Sequence, residues 1–165
     1  MRRRRGFLII FALLVLVLLF TLGLGFVGKQ ADTYQSASHT VASAEAMECA
    51  MAGLEDARVK VMKNLRFPPP GDDEQLQFGY TEVLFDLDGT TPVGSYTVEV
   101  DRSWMEPPYE ILRIEVLGLS GDPAEPPIAR RRISVEVDMA EQLRGGGGAN
   151  PNLGRFMNFQ DHGAL

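Results

Sequence analysis

The chain opens with a block of like residues rather than an alternation. Phe7–Val27 is 21 residues long, carries no charge, and has Thr21 as its only polar side chain. At 1.5 Å per residue a helix of this length covers roughly 30 Å, the thickness of a bilayer's hydrocarbon core. A segment that crosses lipid must satisfy its backbone internally, which predicts a helix. The polar sequence that follows does not interrupt it: no proline occurs from Gly28 to Leu65, and good helix formers abound. Val41, Ala44, Met47, Met51, Leu54, Ala57, Val61 and Leu65 recur at spacings of three and four, predicting one apolar face. Pro68-Pro69-Pro70-Gly71 ends the pattern. The reading is one helix over 7–65, with a membrane half at 7–27 and an amphipathic half at 28–65.

Beyond residue 75 the period changes from helical to two. In Ser95–Arg102, Tyr96, Val98 and Val100 face opposite to Thr97, Glu99 and Asp101. Tyr109–Leu119 sets Leu112, Ile114 and Val116 against Arg113 and Glu115, and Ala129–Met139 sets Ile133, Val135, Val137 and Met139 against Ser134, Glu136 and Asp138. Leu76–Leu87 is mixed and reads as an edge strand or packed loop. Asp86–Pro92, with Asp88-Gly89 at its centre, is turn chemistry. Consecutive alternating strands with short connections form an antiparallel meander whose apolar face needs a cover. The helix stripe is the matching partner. The fold class is therefore α+β: a long N-terminal transmembrane-plus-amphipathic helix packed on a three- or four-stranded antiparallel sheet at 66–143. Gly145–Gly148 and the weakly patterned polar end predict a linker and disordered tail over 144–165.

Charge adds an orientation. Arg2–Arg5 precede the apolar stretch, with only Lys29 close behind it, so the positive-inside rule keeps the N-terminus in the cytoplasm and exports the rest. The net charge of −6 conceals a split, since residues 28–165 hold 12 basic and 22 acidic side chains, a balance of −10. An acidic exterior argues against nucleic acid as a partner. The apolar core exceeds the usual signal-peptide length and no A-x-A-like site follows, which favours retention of the span.

Catalytic chemistry finds no pattern: His39 and His162 are far apart, and no nucleophile–base order or phosphate loop is evident. The pattern implies neither a cofactor nor a metal. Asp86-x-Asp88-Gly89 begins like a calcium loop, to which Asp72-Asp73-Glu74 could add oxygens, but the remaining spacing is absent and a hairpin turn is the plainer reading. Cys49 is the sole cysteine, either a small buried apolar residue or a partner for an intermolecular bond. Arg130–Arg132 could form a phosphate or partner patch, but an exposed edge guard flanking a strand is the plainer reading. Trp104, Met105 and Tyr109, in an aromatic, proline-rich loop, are the candidate partner surface, weighed against an ordinary packed connection.

A basic leader ending in Gly6, an immediate apolar stretch, a continuous helix and a terminal antiparallel sheet together resemble a type IV pilin or pseudopilin precursor. Ala44–Ala57 is similar to the alanine-rich "AEAGLE" stretch of PilX-type minor pilins and of the tip pseudopilin of type II secretion. The order Gly94–Val100, Tyr109–Ile114, Arg131–Val137 resembles the strands that follow it there. The resemblance covers residues 1 to about 140. It implies a structural protein rather than an enzyme. It implies cleavage of the 1–6 leader between Gly6 and Phe7 by a prepilin peptidase, and N-methylation of Phe7. Its other implied partners are pilin or pseudopilin subunits and the inner membrane, with the C-terminal part in the periplasm until assembly into a pilus or pseudopilus. The family usually carries Glu at the fifth mature position, where this chain has Phe11. The tip pseudopilin also lacks it, so Phe11 points to a tip or initiating subunit. The rival expectation is an uncleaved single-span membrane-anchored periplasmic scaffold or binding protein.

Overall fold

The structure, a computed structural model, describes residues 4–64, 67 and 76–164. The proline-rich segment at 68–70, Asp72-Asp73-Glu74 and Leu65 lie outside the described residues. Helix α1 runs without interruption over Arg4–Lys63, and Asn64 N donates to Lys60 O at its end. The helix therefore already includes Arg4, Arg5 and Gly6, ahead of the start predicted at Phe7. Two compact units divide the chain, one up to Thr40 and one from Val41 onward.

The first unit is helical and apolar for most of its length. Ile9, Ile10, Leu13, Leu16, Phe20 and Leu24 are all exposed, and this is one helix near the N-terminus long and apolar enough to cross a membrane. Three threonine hydroxyls bond back to the helix. Thr21 Oγ1 donates to Leu18 O at 2.9 Å, and Thr33 and Thr40 bond back to Lys29 and Ser36 carbonyls. Gly23, Gly25 and Gly28 remain helical.

The second unit is the rest of α1 laid on a five-stranded antiparallel sheet in simple sequence order. The strands are β1 Gln77–Phe85, β2 Pro92–Asp101, β3 Ile111–Ser120, β4 Ala129–Asp138 and β5 Phe156–Ala164. The three predicted alternations hold on their apolar side, but Asp138, expected to face out, is buried at the end of its strand. Tyr96, Val98, Val100, Leu112, Ile114, Val116, Ile133, Val135, Val137 and Met139 are buried in one core with Leu54, Ala57 and Val61 of the helix. Val98 stands opposite Val116, and Ile114 opposite Val135, so the core rests on facing aliphatic pairs. Leu76–Leu87 resolves into edge strand β1, paired regularly to Leu84.

Two expectations are corrected. First, the helix face is rotated at its N-terminal end. Val41 is 58% exposed and Ala44 is exposed, whereas Ala42, Ala46, Cys49, Ala50 and Gly53 are buried. The reason is the closeness of approach. A Cβ on Gly118 would fall on the Ala46 carbonyl and 2.5 Å from Ala50 N, and one on Gly53 would sit 2.6 Å from the Tyr96 ring. Only small residues fit where helix backbone nearly touches sheet backbone. Met47 and Met51 pack against the flank of the core instead.

Second, the sheet has five strands rather than three or four, because part of the 144–165 segment, expected as linker and disordered tail, forms β5. The glycines make a closed turn: Leu143 N donates to Gly148 O and Gly146 N to Leu143 O, with Gly146, Gly147 and Gly148 at positive φ. Asp138, buried at the end of β4, anchors the connection. Its carboxylate accepts from Asn150 Nδ2 (3.0 Å), Arg144 Nη2 (3.2 Å) and Ala140 N (3.2 Å), and its carbonyl accepts from Gly154 N. The edge-guard reading of Arg130–Arg132 falls with this, since β4 is an interior strand. Arg131 forks onto Asp161 of β5, with Nε to Oδ1 at 2.9 Å, and Arg132 meets Glu115 of β3 at 3.1 Å.

Candidate functional site

Three places in the described residues gather chemistry. The first joins helix to edge strand. Asp56 and Lys60, one turn apart on α1, meet Tyr80 and Glu82 of β1 and Tyr96 of β2. Lys60 Nζ lies 2.6 Å from Asp56 Oδ2 and also pairs with Glu82. Tyr80 donates its hydroxyl to Asp56 Oδ2 and Tyr96 donates to Glu82 Oε2, both at 2.9 Å. The Lys60 ammonium sits 4.1 Å from the centre of the Tyr80 ring. Burial opposes ionisation of Asp56, but hydrogen bonds from Lys60, Tyr80 and Tyr96 outweigh it and hold the carboxyl below its ordinary value. Burial, and then the carboxylates they face, push both phenols well above theirs. Every member has a partner, and the cluster clamps the helix to the edge strand.

The second place is the loop between β2 and β3. It brings together two of the three residues singled out for a partner surface. Trp104 (38% exposed) and Tyr109 (51% exposed) meet edge to face with ring centres 4.9 Å apart. Met105 does not join them; it packs against the core. The Arg113 guanidinium lies 5.2 Å from the Trp104 ring centre and ties this loop to the open face of the sheet.

That open face is the third place, and single-strand patterning did not reveal it. Glu99, Arg113, Glu115, Ser134 and Glu136 alternate with the buried residues of β2, β3 and β4 and so point away from the helix. Asn158, Gln160 and His162 of β5 complete a groove of about 810 Å³ that touches all five strands. Arg113 Nε donates to Glu136 Oε1 at 3.2 Å, Asn158 Nδ2 to Glu136 Oε2 at 3.3 Å, and Ser134 Oγ lies 2.8 Å from His162 Nε2. Glu99 and Glu115 stand directly opposite each other across β2 and β3.

The remaining candidates are placed as follows. Gly6 and Phe7 lie within α1, as does Phe11, which is 56% exposed. Asp88 turns inward on its own hairpin, accepting from Thr90 N (2.8 Å), Thr91 N (2.9 Å) and the Thr91 hydroxyl (2.6 Å). The Thr91 hydroxyl and amide lower its carboxyl pKa. Among the described residues no group of three or more His, Cys, Asp or Glu side chains is placed to hold a metal ion. Cys49 is buried and reduced, its thiol pushed up by burial and then by Glu45. Compared with family models, with curated proteins and with solved structures, the chain gives no match.

Proposed function

We propose that this chain is a structural subunit of pilin type, a minor pilin or pseudopilin held in the inner membrane and drawn from it into a pilus or a secretion pseudopilus. One observation carries the reading: a single uninterrupted helix, Arg4–Lys63, is exposed and apolar at Ile9–Val27 and buried against an antiparallel meander from Ala42 to Val61. A helix apolar on all sides suits lipid or the centre of a helical bundle. The small domain on its second half supplies the outward surface. The acid-rich clamp and the fully partnered Asp138 hub support a scaffold role, since both fix geometry and leave no free nucleophile or base.

In this reading prepilin peptidase cuts between Gly6 and Phe7, and Phe7 is methylated. Phe11 stands where a glutamate would neutralise the N-terminal ammonium of a neighbouring subunit. A tip or initiating subunit has no such neighbour above it, and an unpaired carboxylate in lipid is costly. Trp104 and Tyr109 are then the outward contact. The C-terminal domain lies on the periplasmic side, as the Arg2–Arg5 cluster favours.

Mass spectrometry of the mature protein from membranes tests the reading. An N-methylated Phe7 terminus is the expected result. An intact terminus still carrying Arg2–Arg5 would replace it with the rival, an uncleaved single-span periplasmic scaffold.

A further inference from the structure

We propose that the open face of the sheet is a glycan-binding groove, taking a neutral oligosaccharide across its strands. The concavity has the volume of a small-molecule site, about 810 Å³, and is contributed by every strand. Its lining mixes the two halves of hydrogen bonding. Glu99, Asp101, Glu115 and Glu136 accept only, whereas Arg113 donates and the side-chain amides of Asn158 and Gln160 can do both. A sugar hydroxyl does both at once, so a chain of hydroxyls matches such a surface as neither a cation nor an anion does.

Beside the 2.8 Å contact of Ser134 with His162, three bonds already on this face are long. Arg113–Glu136 is 3.2 Å, Asn158–Glu136 is 3.3 Å and Gln160–Asn158 is 3.4 Å, against an ordinary 2.9–3.0 Å. They are exposed and readily exchanged for shorter bonds to ligand hydroxyls. Glu99 and Glu115 are like charges directly opposite, an arrangement that is unfavourable when left bare and eased when hydroxyls donate to it. Trp104 is not part of the lining, but its ring centre lies 5.2 Å from the Arg113 guanidinium, and it offers a neighbouring aromatic surface of the kind that packs against a sugar's apolar face. The pairing of β5 with β4 is irregular around Ser134–Glu136, with Asn158 at φ 49°, and the Asn158 and Gln160 amides line the groove there. The excess of carboxylates turns away anionic polymers. The groove's chemistry is independent of whether the chain enters a filament.

The test is calorimetry on the full chain in a zwitterionic detergent, because a glycosidic detergent would compete. The probes are tetramers of β-1,4-linked N-acetylglucosamine and of α-1,4-linked glucose, a galacturonate tetramer and tetralysine. Binding of a neutral tetramer and none of galacturonate is expected. Asn158→Gly with Gln160→Ala removes two donors while keeping the backbone conformation of 158, and should weaken the neutral ligand at least about tenfold. Trp104→Ala should weaken it by a similar factor, and an unchanged melting temperature confirms that each variant is folded. Three results overturn the proposal: no neutral tetramer binds, a neutral tetramer binds equally well to the variants, or tetralysine alone binds. The last would make the face a dock for a basic peptide. A failure of Phe7 methylation would leave this result untouched.

Discussion

At the scale of single residues the chain depends on the smallest ones. The helix lies on the sheet at Gly118, where an added Cβ meets the Ala46 carbonyl and the Ala50 amide. Neither is a flexible side-chain end that can swing aside. Gly118→Ala should therefore cost at least about 3 kcal/mol, the upper part of the range for overpacking, and lower the thermal midpoint followed by circular dichroism. Val135→Asp, which places a carboxylate among Leu54, Ile114 and Val137, should unfold the second unit outright. An unchanged midpoint for Val135→Asp would mean that the register of β4 is wrong. The strand core was legible from alternation alone, because a period of two with one buried face admits no other register. The helix face was legible only in its second half. From Leu54 on, the stripe residues Leu54, Ala57 and Val61 are the buried ones; before it, Ala42, Ala46 and Ala50 are buried because they are small, and a pattern weighted toward Val41, Met47 and Met51 selects an offset face. Glycine at 118 within an otherwise aliphatic strand was the signal that backbone approaches backbone there.

At the scale of elements, the two edge strands are fastened by different chemistry. β1 is held to α1 by Asp56, Lys60, Glu82 and the two tyrosines. The Asp56 carboxyl is lowered from its ordinary 3.8, so its contribution is present at neutral pH and is lost as pH falls below that value. Both phenols are raised from 10.0, so their contribution is complete below pH 10 and is lost as pH rises past it. Lys60, also raised, loses its contribution on the same alkaline side. Urea midpoints measured across pH should thus fall at both extremes. Replacing Tyr80 and Tyr96 with Phe should flatten the alkaline fall to the share of Lys60, and should also lessen the acid one, because the two hydroxyls help hold the Asp56 carboxyl below its ordinary value. β5 is fastened instead by backbone pairing, the Arg131–Asp161 fork, Arg58 over Phe156 and the Asp138 hub. Arg131→Ala should raise amide exchange over 156–164 well above that of β2 and β3, without global unfolding. This strand escaped sequence reading for a physical reason. Most of its residues are exposed on both faces, so nothing forces alternation, and its preceding glycines have the composition of a linker while closing a turn. The groove escaped with it, because three of its lining residues lie on β5.

At the scale of the whole molecule, Phe11 carries the sharpest test of the proposed role. In a shaft, a glutamate at this position would neutralise the ammonium of an adjoining subunit, and the pairing in a low-dielectric surrounding would favour incorporation. At a tip there is no ammonium to meet. Phe11→Glu then only adds a carboxylate to the first turns of an apolar helix, at an insertion cost of up to about 3 kcal/mol at the membrane centre and less near its surface. Leader cleavage should be unaffected, because the cut lies upstream of the substitution. Filaments nucleated by this subunit should be fewer, while the second unit, which begins at Val41, should melt as before. Electron microscopy with immunogold against this chain reads out both number and position. For a tip subunit the label stays at one end of each filament, and Phe11→Glu lowers the filament count. Label that spreads along the shaft when the glutamate is supplied would identify an internal subunit that had lost its charge, and would remove the tip assignment while leaving the pilin reading intact.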